Sequence, residues 1–234
     1  MGCFICFDHA IYGVKQMLTA LFGGTFDPVH YGHINPAIAL AKEISLTQIS
    51  LLPNQIPPHK PQPEATTEQR LAMLNLAVED LPLFSIDTRE ILSEKLMRPS
   101  YTIETLEKWR QENGYQKGLA FIMGQDSLLS LPTWYQWQTL LDYCHLLICR
   151  RPGYAEKTDD IELQNWITIH QTTNIKDLHD NPCGYIFFAH TPLENISATE
   201  IRQNINNKQN YENLLPAKVW HYIHQHALYN AKKK

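Results

Sequence analysis

The chain has 234 residues, 44% of them hydrophobic and 19% charged, with a formal net charge of −4. That length suits one α/β domain, or one domain with an appended helical piece, whose core needs neither disulfides nor a structural metal. The charge balance gives no sign of a broad nucleic-acid footprint and leaves room for a local basic pocket, and no run approaches the ~18 apolar residues of a membrane span.

The first sixteen residues carry an apolar cluster, Cys3, Phe4, Ile5, Cys6 and Phe7, broken by Asp8 and His9. The cluster lacks the basic start of a secretory signal, and Cys6 stands where the myristoylation pattern requires Ser or Thr. Cys3-x-x-Cys6-x-x-His9 invites a metal reading but has no second ligand pair at suitable spacing. We read residues 1–16 as a dispensable extension ahead of Met17, and residues 17–234 as one domain. Five cysteines, an odd number that includes the apolar positions Cys144 and Cys149, fit a reducing cytoplasm.

Leu18 to Phe22 reads as a buried strand. It runs into Gly23-Gly24-Thr25-Phe26-Asp27-Pro28-Val29-His30-Tyr31-Gly32-His33, after which Ile34, Pro36, Ile38, Ala41 and Ile44 follow the apolar spacing of a helix. Strand, glycine turn and helix together make a phosphate site: paired glycines let backbone approach a ligand without Cβ interference, and the helix start aims N–H groups at an anion. The helix is predicted to open near His33, with Pro36 in its first turn, where the missing N–H costs nothing. His30-x-x-His33 brings both imidazoles to one side as donors to phosphate oxygens. Zinc is the rival ligand, but it needs a third protein ligand, and the segment has neither a His-Glu-x-x-His pattern nor a nearby cysteine pair. A tight turn with ordinary polar histidines is the plain alternative on these residues alone.

Ile49 to Leu52 forms a second strand that enters Pro53-Asn54-Gln55-Ile56-Pro57-Pro58-His59-Lys60-Pro61-Gln62-Pro63, an extended proline loop placed either to cover a ligand or merely to connect. Thr66 and Gln69 have capping-box spacing ahead of a helix through Leu71, Leu74 and Val78. Phe84 to Thr88 alternates like a strand, Ile103 to Trp109 is helical, and Leu119 to Met123 is a continuous apolar run suited to a central parallel strand. Trp134 to Leu141 is predicted helical and His145 to Cys149 a buried strand. Strands alternating with helices imply a doubly wound parallel sheet, in which ligands lie beyond the carboxyl ends of the strands. Gly23-Gly24, Asn54, Gly124-Gln125-Asp126 and Arg150-Arg151 each follow a predicted strand and are expected to converge on one crevice.

Thr158 is the expected N-cap of a surface helix to His170 carrying Ile161, Trp166 and Ile169. Tyr185 to Ala189 makes a last strand. Ser197 and Glu200 then have capping-box spacing, so Ser197, Thr199 and Arg202 gather at a positive helix end, a second candidate phosphate site; an ordinary cap with an exposed arginine is the alternative. Val219, Tyr222 and Ile223 belong to a final packing helix, and Ala231 to Lys234 to a frayed tail.

Gly23-Gly24-Thr25-Phe26-Asp27-Pro28-x-His30-x-Gly32-His33, paired with Ile196-Ser197-x-Thr199-x-Ile201-Arg202, resembles the signature pair of the nucleotidyltransferase superfamily. Pro57-Pro58-His59-Lys60, Pro99-Ser100-Tyr101-Thr102, Gly124-Gln125-Asp126-Ser127, Pro132-Thr133-Trp134-Tyr135 and Cys149-Arg150-Arg151-Pro152-Gly153 extend the likeness to the bacterial nicotinate-nucleotide adenylyltransferase family, over residues 18 to 229. The resemblance implies a Rossmann-like α/β fold with C-terminal helices, transfer of the adenylyl group of ATP to nicotinate mononucleotide, and Mg²⁺ held mainly through the ATP phosphates. It implies small-molecule partners, no nucleic acid and no membrane, in a monomer or small homo-oligomer. His30, His33 and Arg202 are the implied catalytic set. Gly23, Gly24, Thr25, Phe26, Gly124, Asp126, Ile196, Ser197 and Thr199 are implied around ATP, and Asn54, Lys60, Tyr101, Thr102, Trp134, Tyr135 and Arg151 around the mononucleotide. A sister enzyme acting on nicotinamide mononucleotide or phosphopantetheine, and a catalytically silent nucleotide-binding module, are the competing implications.

Overall fold

The computed structural model describes residues 17–55, 62–91, 101–150, 153, 158–192 and 194–231. Lys60, Arg151 and the Cys3, Cys6 and His9 cluster therefore lie outside the described residues, as do the proline-rich centre of the loop after Asn54 and the last three lysines of the tail.

Short runs of apolar residues build a six-stranded sheet in the order β3-β2-β1-β4-β5-β6. These strands are β1 (Thr19–Gly24), β2 (Ile49–Pro53), β3 (Phe84–Ile86), β4 (Leu119–Gly124), β5 (His145–Cys149) and β6 (Ile186–Ala189), and every pairing is parallel. All five residues of β5 are buried, as expected of a strand covered on both faces. Alternation along β1 sends Ala20 and Phe22 into one core and Leu21 into the other. The first core is covered by α1 (Tyr31–Glu43), α2 (Thr67–Val78), α7 (Ala198–Asn206) and α8 (Ala217–Gln225), through residues such as Leu40, Leu74, Ile201 and Val219. The second is covered by α3 (Thr102–Asn113) and α5 (Ile161–His170), through Ile103, Leu106, Leu163 and Ile167. Two short helices, α4 (Gln125–Leu129) and α6 (Ile175–Asp180), complete the set. No helix among the described residues is long and apolar enough to cross a membrane.

The strand order reverses between β1 and β4, so the crevice of this doubly wound sheet opens where their carboxyl ends part. Register brings Gly24 level with Pro53 on one side, and Gly124 level with Cys149 on the other. The residues after these four positions therefore share one edge of the sheet.

Several local expectations are corrected. His30, in extended conformation, is the N-cap of α1, so the helix starts earlier than predicted and Pro36 sits in its second turn. Trp134 is also extended, and only Trp137–Asp142 turns helically, as a 3₁₀ segment after the left-handed Gln136. The N-cap of α5 is Asp160, whose carboxylate accepts the Leu163 N–H at 3.0 Å, while Thr158 instead accepts the Asp160 N–H. Ile161 and Ile169 are exposed, because α5 turns Leu163 and Ile167 to the sheet. Ala231, assigned to the tail, is buried. The capping box at Thr66 and Gln69 forms with both its bonds, and at Ser197 the hydroxyl accepts the Glu200 N–H at 3.1 Å.

Candidate active site

The loop from β1 to α1 is shaped by its glycines, though not for the expected reason. A Cβ on Gly23 would fall 2.5 Å from the Phe121 ring and one on Gly24 2.7 Å from the Phe26 ring, so the space they vacate is filled by protein. Phe26 has a left-handed backbone (φ 50°) and is fully buried, edge-on to both Phe22 and His33. A bulky residue adopts that backbone only where its surroundings impose it. Here the tuck of the ring beneath Gly24 turns the chain toward the first turn of α1.

That turn carries the two histidines. Their rings lie 3.7 Å apart, centroid to centroid, tilted by 32°. The backbone N–H of His30 donates to His33 Nδ1 at 3.3 Å, so the neutral His33 ring carries its proton on Nε2 and presents a donor there. Gly32 lies between them, and a Cβ at that position would sit 2.9 Å from both His30 Nδ1 and the Ile196 carbonyl oxygen. The two signature segments are thus in backbone contact at Gly32.

Opposite the histidines, α7 presents Arg202. Its Nη1 donates to the Asp27 carbonyl at 2.7 Å, and its Nε pairs with Glu64 Oε1 at 2.7 Å. A groove of about 1040 Å³ runs between the two sides, lined by Gly24 to Asp27, His30, His33, Gly124, Asp126, Ser127, Ser197, Thr199 and Arg202. The donors along it are imidazole, hydroxyl and guanidinium groups, a set suited to phosphate oxygens.

A second cavity, of about 570 Å³, adjoins the groove at Gly24 and is walled by Leu52, Phe121, Trp134 and Tyr135 with Gly23, Asn54, Glu90, Tyr101 and Thr102. Thr102 opens α3 and Tyr101 is its N-cap, whose own side chain makes no capping bond. The first turn of that helix stands at the cavity wall, where helix-start N–H groups suit an anion. Tyr101 and Tyr135 rings stand 5.2 Å apart, and Asn54 is fixed by its N–H on the Gly24 carbonyl and its amide on Thr25 Oγ1. A smaller recess of about 380 Å³ opens at His33 and Gly124 and is bordered by Phe22, Pro36, Cys149, Arg150 and Glu194.

Among the described residues, the expected ones fall into two adjoining groups, with two rearrangements; Lys60 and Arg151 lie outside the described residues. Gly23 lines the second cavity instead of the phosphate groove, and Ile196 meets α1 through its carbonyl without lining the groove. Three groups escaped the sequence reading. Asp27, 4% exposed, accepts the N–H groups of Glu64 and Ala65 and the Tyr229 hydroxyl. Arg70, 1% exposed, donates to the Thr25 carbonyl at 2.7 Å from beneath the loop, and burial lowers its pKa while the nearby Asp27 opposes that shift. Glu90, 9% exposed, accepts the Thr105 hydroxyl beside the second cavity. Asp27 stood in the motif itself and was the one of the three with a readable signal. The other two, Arg70 within α2 and Glu90 in the turn after β3, have no local pattern.

Comparison with known proteins agrees with this geometry. A family model described as cytidylyltransferase-like matches residues 21–204, a span that includes both signature segments. The fold and groove accordingly define the chain as an α/β protein of the cytidylyltransferase-like, nucleotidyltransferase class. A Shigella boydii protein named "Probable nicotinate-nucleotide adenylyltransferase" is 54% identical over 214 residues, covering 92% of this chain and 99% of the relative. A Yersinia pestis protein of the same name is 52% identical over 222 residues, covering 95% and 96%. The chain belongs to the nicotinate-nucleotide adenylyltransferase family. Among solved structures, Plasmodium falciparum nicotinic acid mononucleotide adenylyltransferase complexed with NaAD shares the fold, with a TM-score of 0.67 at 16% identity, over 94% of this chain and 100% of that one. The same enzyme complexed with APC matches with a TM-score of 0.66 at 14% identity, over the same shares of the two chains.

Proposed function

We propose that this chain joins the adenylyl group of ATP to nicotinate mononucleotide, producing nicotinate adenine dinucleotide and pyrophosphate. The observation that carries the reading is the junction at Gly24 of a donor-lined groove with an aromatic-walled cavity that meets the N-terminus of a helix at Tyr101 and Thr102. The triphosphate lies in the groove between His30 and His33 on one side and Ser197, Thr199 and Arg202 on the other, with Thr25 and Phe26 beneath. The adenine ring enters the recess bordered by Phe22, Pro36 and Cys149. The mononucleotide occupies the second cavity, its pyridine ring against Trp134 and its carboxylate toward the first turn of α3 at Thr102. Asn54 and Tyr135 line the same cavity; Lys60 and Arg151, outside the described residues, are assigned to the mononucleotide by the family resemblance alone.

An oxygen of the mononucleotide phosphate forms a bond to the α-phosphorus of ATP while the bond from that phosphorus to the bridging oxygen of pyrophosphate breaks. The nucleophile is already an anion at neutral pH, so no side chain need remove a proton. Alignment of the reactants and stabilisation of charge on the phosphoryl oxygens supply the rate. His33 donates from Nε2, and Arg202 faces the same oxygens from α7. Asp126 and Ser127 offer hard oxygen donors on the groove, which fit a Mg²⁺ ion coordinated chiefly by phosphate and water. When bound, that ion neutralises triphosphate charge. Carboxylate recognition needs only donors, whereas a carboxamide also needs an acceptor, so the helix end favours nicotinate over nicotinamide.

Pyrophosphate release from ATP and Mg²⁺ is measured with nicotinate mononucleotide, nicotinamide mononucleotide or phosphopantetheine offered separately. A large preference for the first is expected. Equal turnover of either competitor overturns the acceptor assignment, and no release with any of the three makes the chain a silent nucleotide-binding module.

A further inference from the structure

We propose that Tyr229 and Asp27 are positioning residues that aim Arg202 at the transferred phosphates, making the C-terminal turn part of the frame of the active site. The Tyr229 hydroxyl donates to Asp27 Oδ1 at 2.6 Å. The same carboxylate accepts the N–H groups of Ala65 at 3.2 Å and Glu64 at 2.8 Å. One carboxylate thus ties three segments distant in sequence: the loop after β1, the residues leading into α2, and the end of the chain. Arg202 is held on this knot twice, with Nη1 on the Asp27 carbonyl at 2.7 Å and 4.0 Å from Oδ2, and Nε on the side chain of Glu64, whose own backbone Asp27 fixes. Any shift of Asp27 therefore moves the acceptors that orient the guanidinium.

Backbone geometry supports the inference independently. Ala227, Tyr229 and Asn230 all have left-handed backbones, with φ of 51°, 55° and 62°, and none is glycine. Side chains with a Cβ persist in that region only where surrounding contacts over-determine them, and such sites cluster where function requires a fixed group. The contacts here are the Tyr229 hydroxyl on Asp27 and the Asn230 amide on Asn206 Oδ1 at 3.2 Å, the latter docking the turn on α7, the helix that carries Arg202. Burial, followed by the adjacent Asp27, raises the Tyr229 pKa, so the phenol stays a donor.

The inference rests on the assignment of Arg202 to the triphosphate, and a double-mutant cycle separates the two. Tyr229→Phe removes one oxygen and keeps the ring. We expect kcat to fall about tenfold, the rate equivalent of one hydrogen bond to a charged group, with the KM for nicotinate mononucleotide unchanged. In an Arg202→Ala background, Tyr229→Phe is expected to cause no further loss, because its effect passes through the arginine. Unchanged kcat in Tyr229→Phe overturns the proposal, as does a tenfold loss that persists in the Arg202→Ala background. Full activity of Arg202→Ala alone overturns the assignment of Arg202 and the proposal with it. Should Tyr229→Phe fail to fold, Asp27→Asn runs through the same cycle with the same expectations.

Discussion

Gly32→Ala tests whether contact between the two signature segments matters to the reaction. The added methyl would stand 2.9 Å from the Ile196 carbonyl oxygen and 2.9 Å from His30 Nδ1, where ordinary contact begins near 3.4 Å, so both neighbours must give by roughly half an ångström or the Gly32 backbone must shift between them. Neither yields easily: one is backbone just ahead of the Ser197 cap, and the other is a fully buried ring stacked on His33. Alanine also gains about 1 kcal/mol over glycine in a helix, while the crowding costs ~1–3 kcal/mol, so stability falls by about 2 kcal/mol at most. Catalysis suffers more. A displacement near 1 Å costs about 100-fold in rate, and half of that implies about tenfold in kcat. Pyrophosphate release kinetics alongside thermal unfolding separate the two effects. Wild-type kcat in a variant as stable as the parent would refute the claim that Gly32 sets the spacing between His30 and α7.

Two further outcomes follow from named contacts. Glu64 holds Arg202 Nε in place but also offsets its charge. Glu64→Gln keeps an oxygen acceptor and removes that charge, so it is expected to lower the KM for ATP about two- to fivefold, the scale of one exposed ion pair; an unchanged or higher KM in steady-state assays counts against it. His145, at the start of β5, accepts the Tyr185 N–H on Nδ1 and donates from Nε2 to the Asn181 carbonyl, and burial, its largest influence, pushes its pKa down to about 4. Protonation would destroy the first of these bonds. Because the unfolded chain binds that proton near pH 6.5 and the folded chain does not until about 4, the stabilisation is complete above pH 6.5 and disappears as pH falls toward 4, by roughly 3 kcal/mol. Urea unfolding between pH 4 and 7 should show this slope and His145→Gln should lose it; an equal slope in both proteins would assign it to other groups.

What the amino-acid sequence determined by itself was the type and order of most elements and most of the residues that line the groove. Period-2 and continuous apolar runs placed all six strands, because a strand buried on both faces has no other way to appear in sequence. The histidine pair and the Ser197 cap stood out because local backbone geometry dictates their spacing. Turn chemistry misled where two signals competed: Pro36 suggested a first helical turn, but His30 already occupied the cap, and Trp134 looked helical until the chain reversed at Gln136. Tertiary structure alone decided which distant segments share a surface. Nothing near Asp27 in sequence predicts Tyr229, 202 residues away, or Arg202, and nothing near Thr25 predicts the buried Arg70 beneath it. These partners are paired by the parallel sheet order, which brings the ends of β1 and β4 to one crevice and lets α7 and the C-terminal turn close over it. A buried charge must find its counterpart across that crevice, and the rule governing the pairing is desolvation, which has no period in sequence.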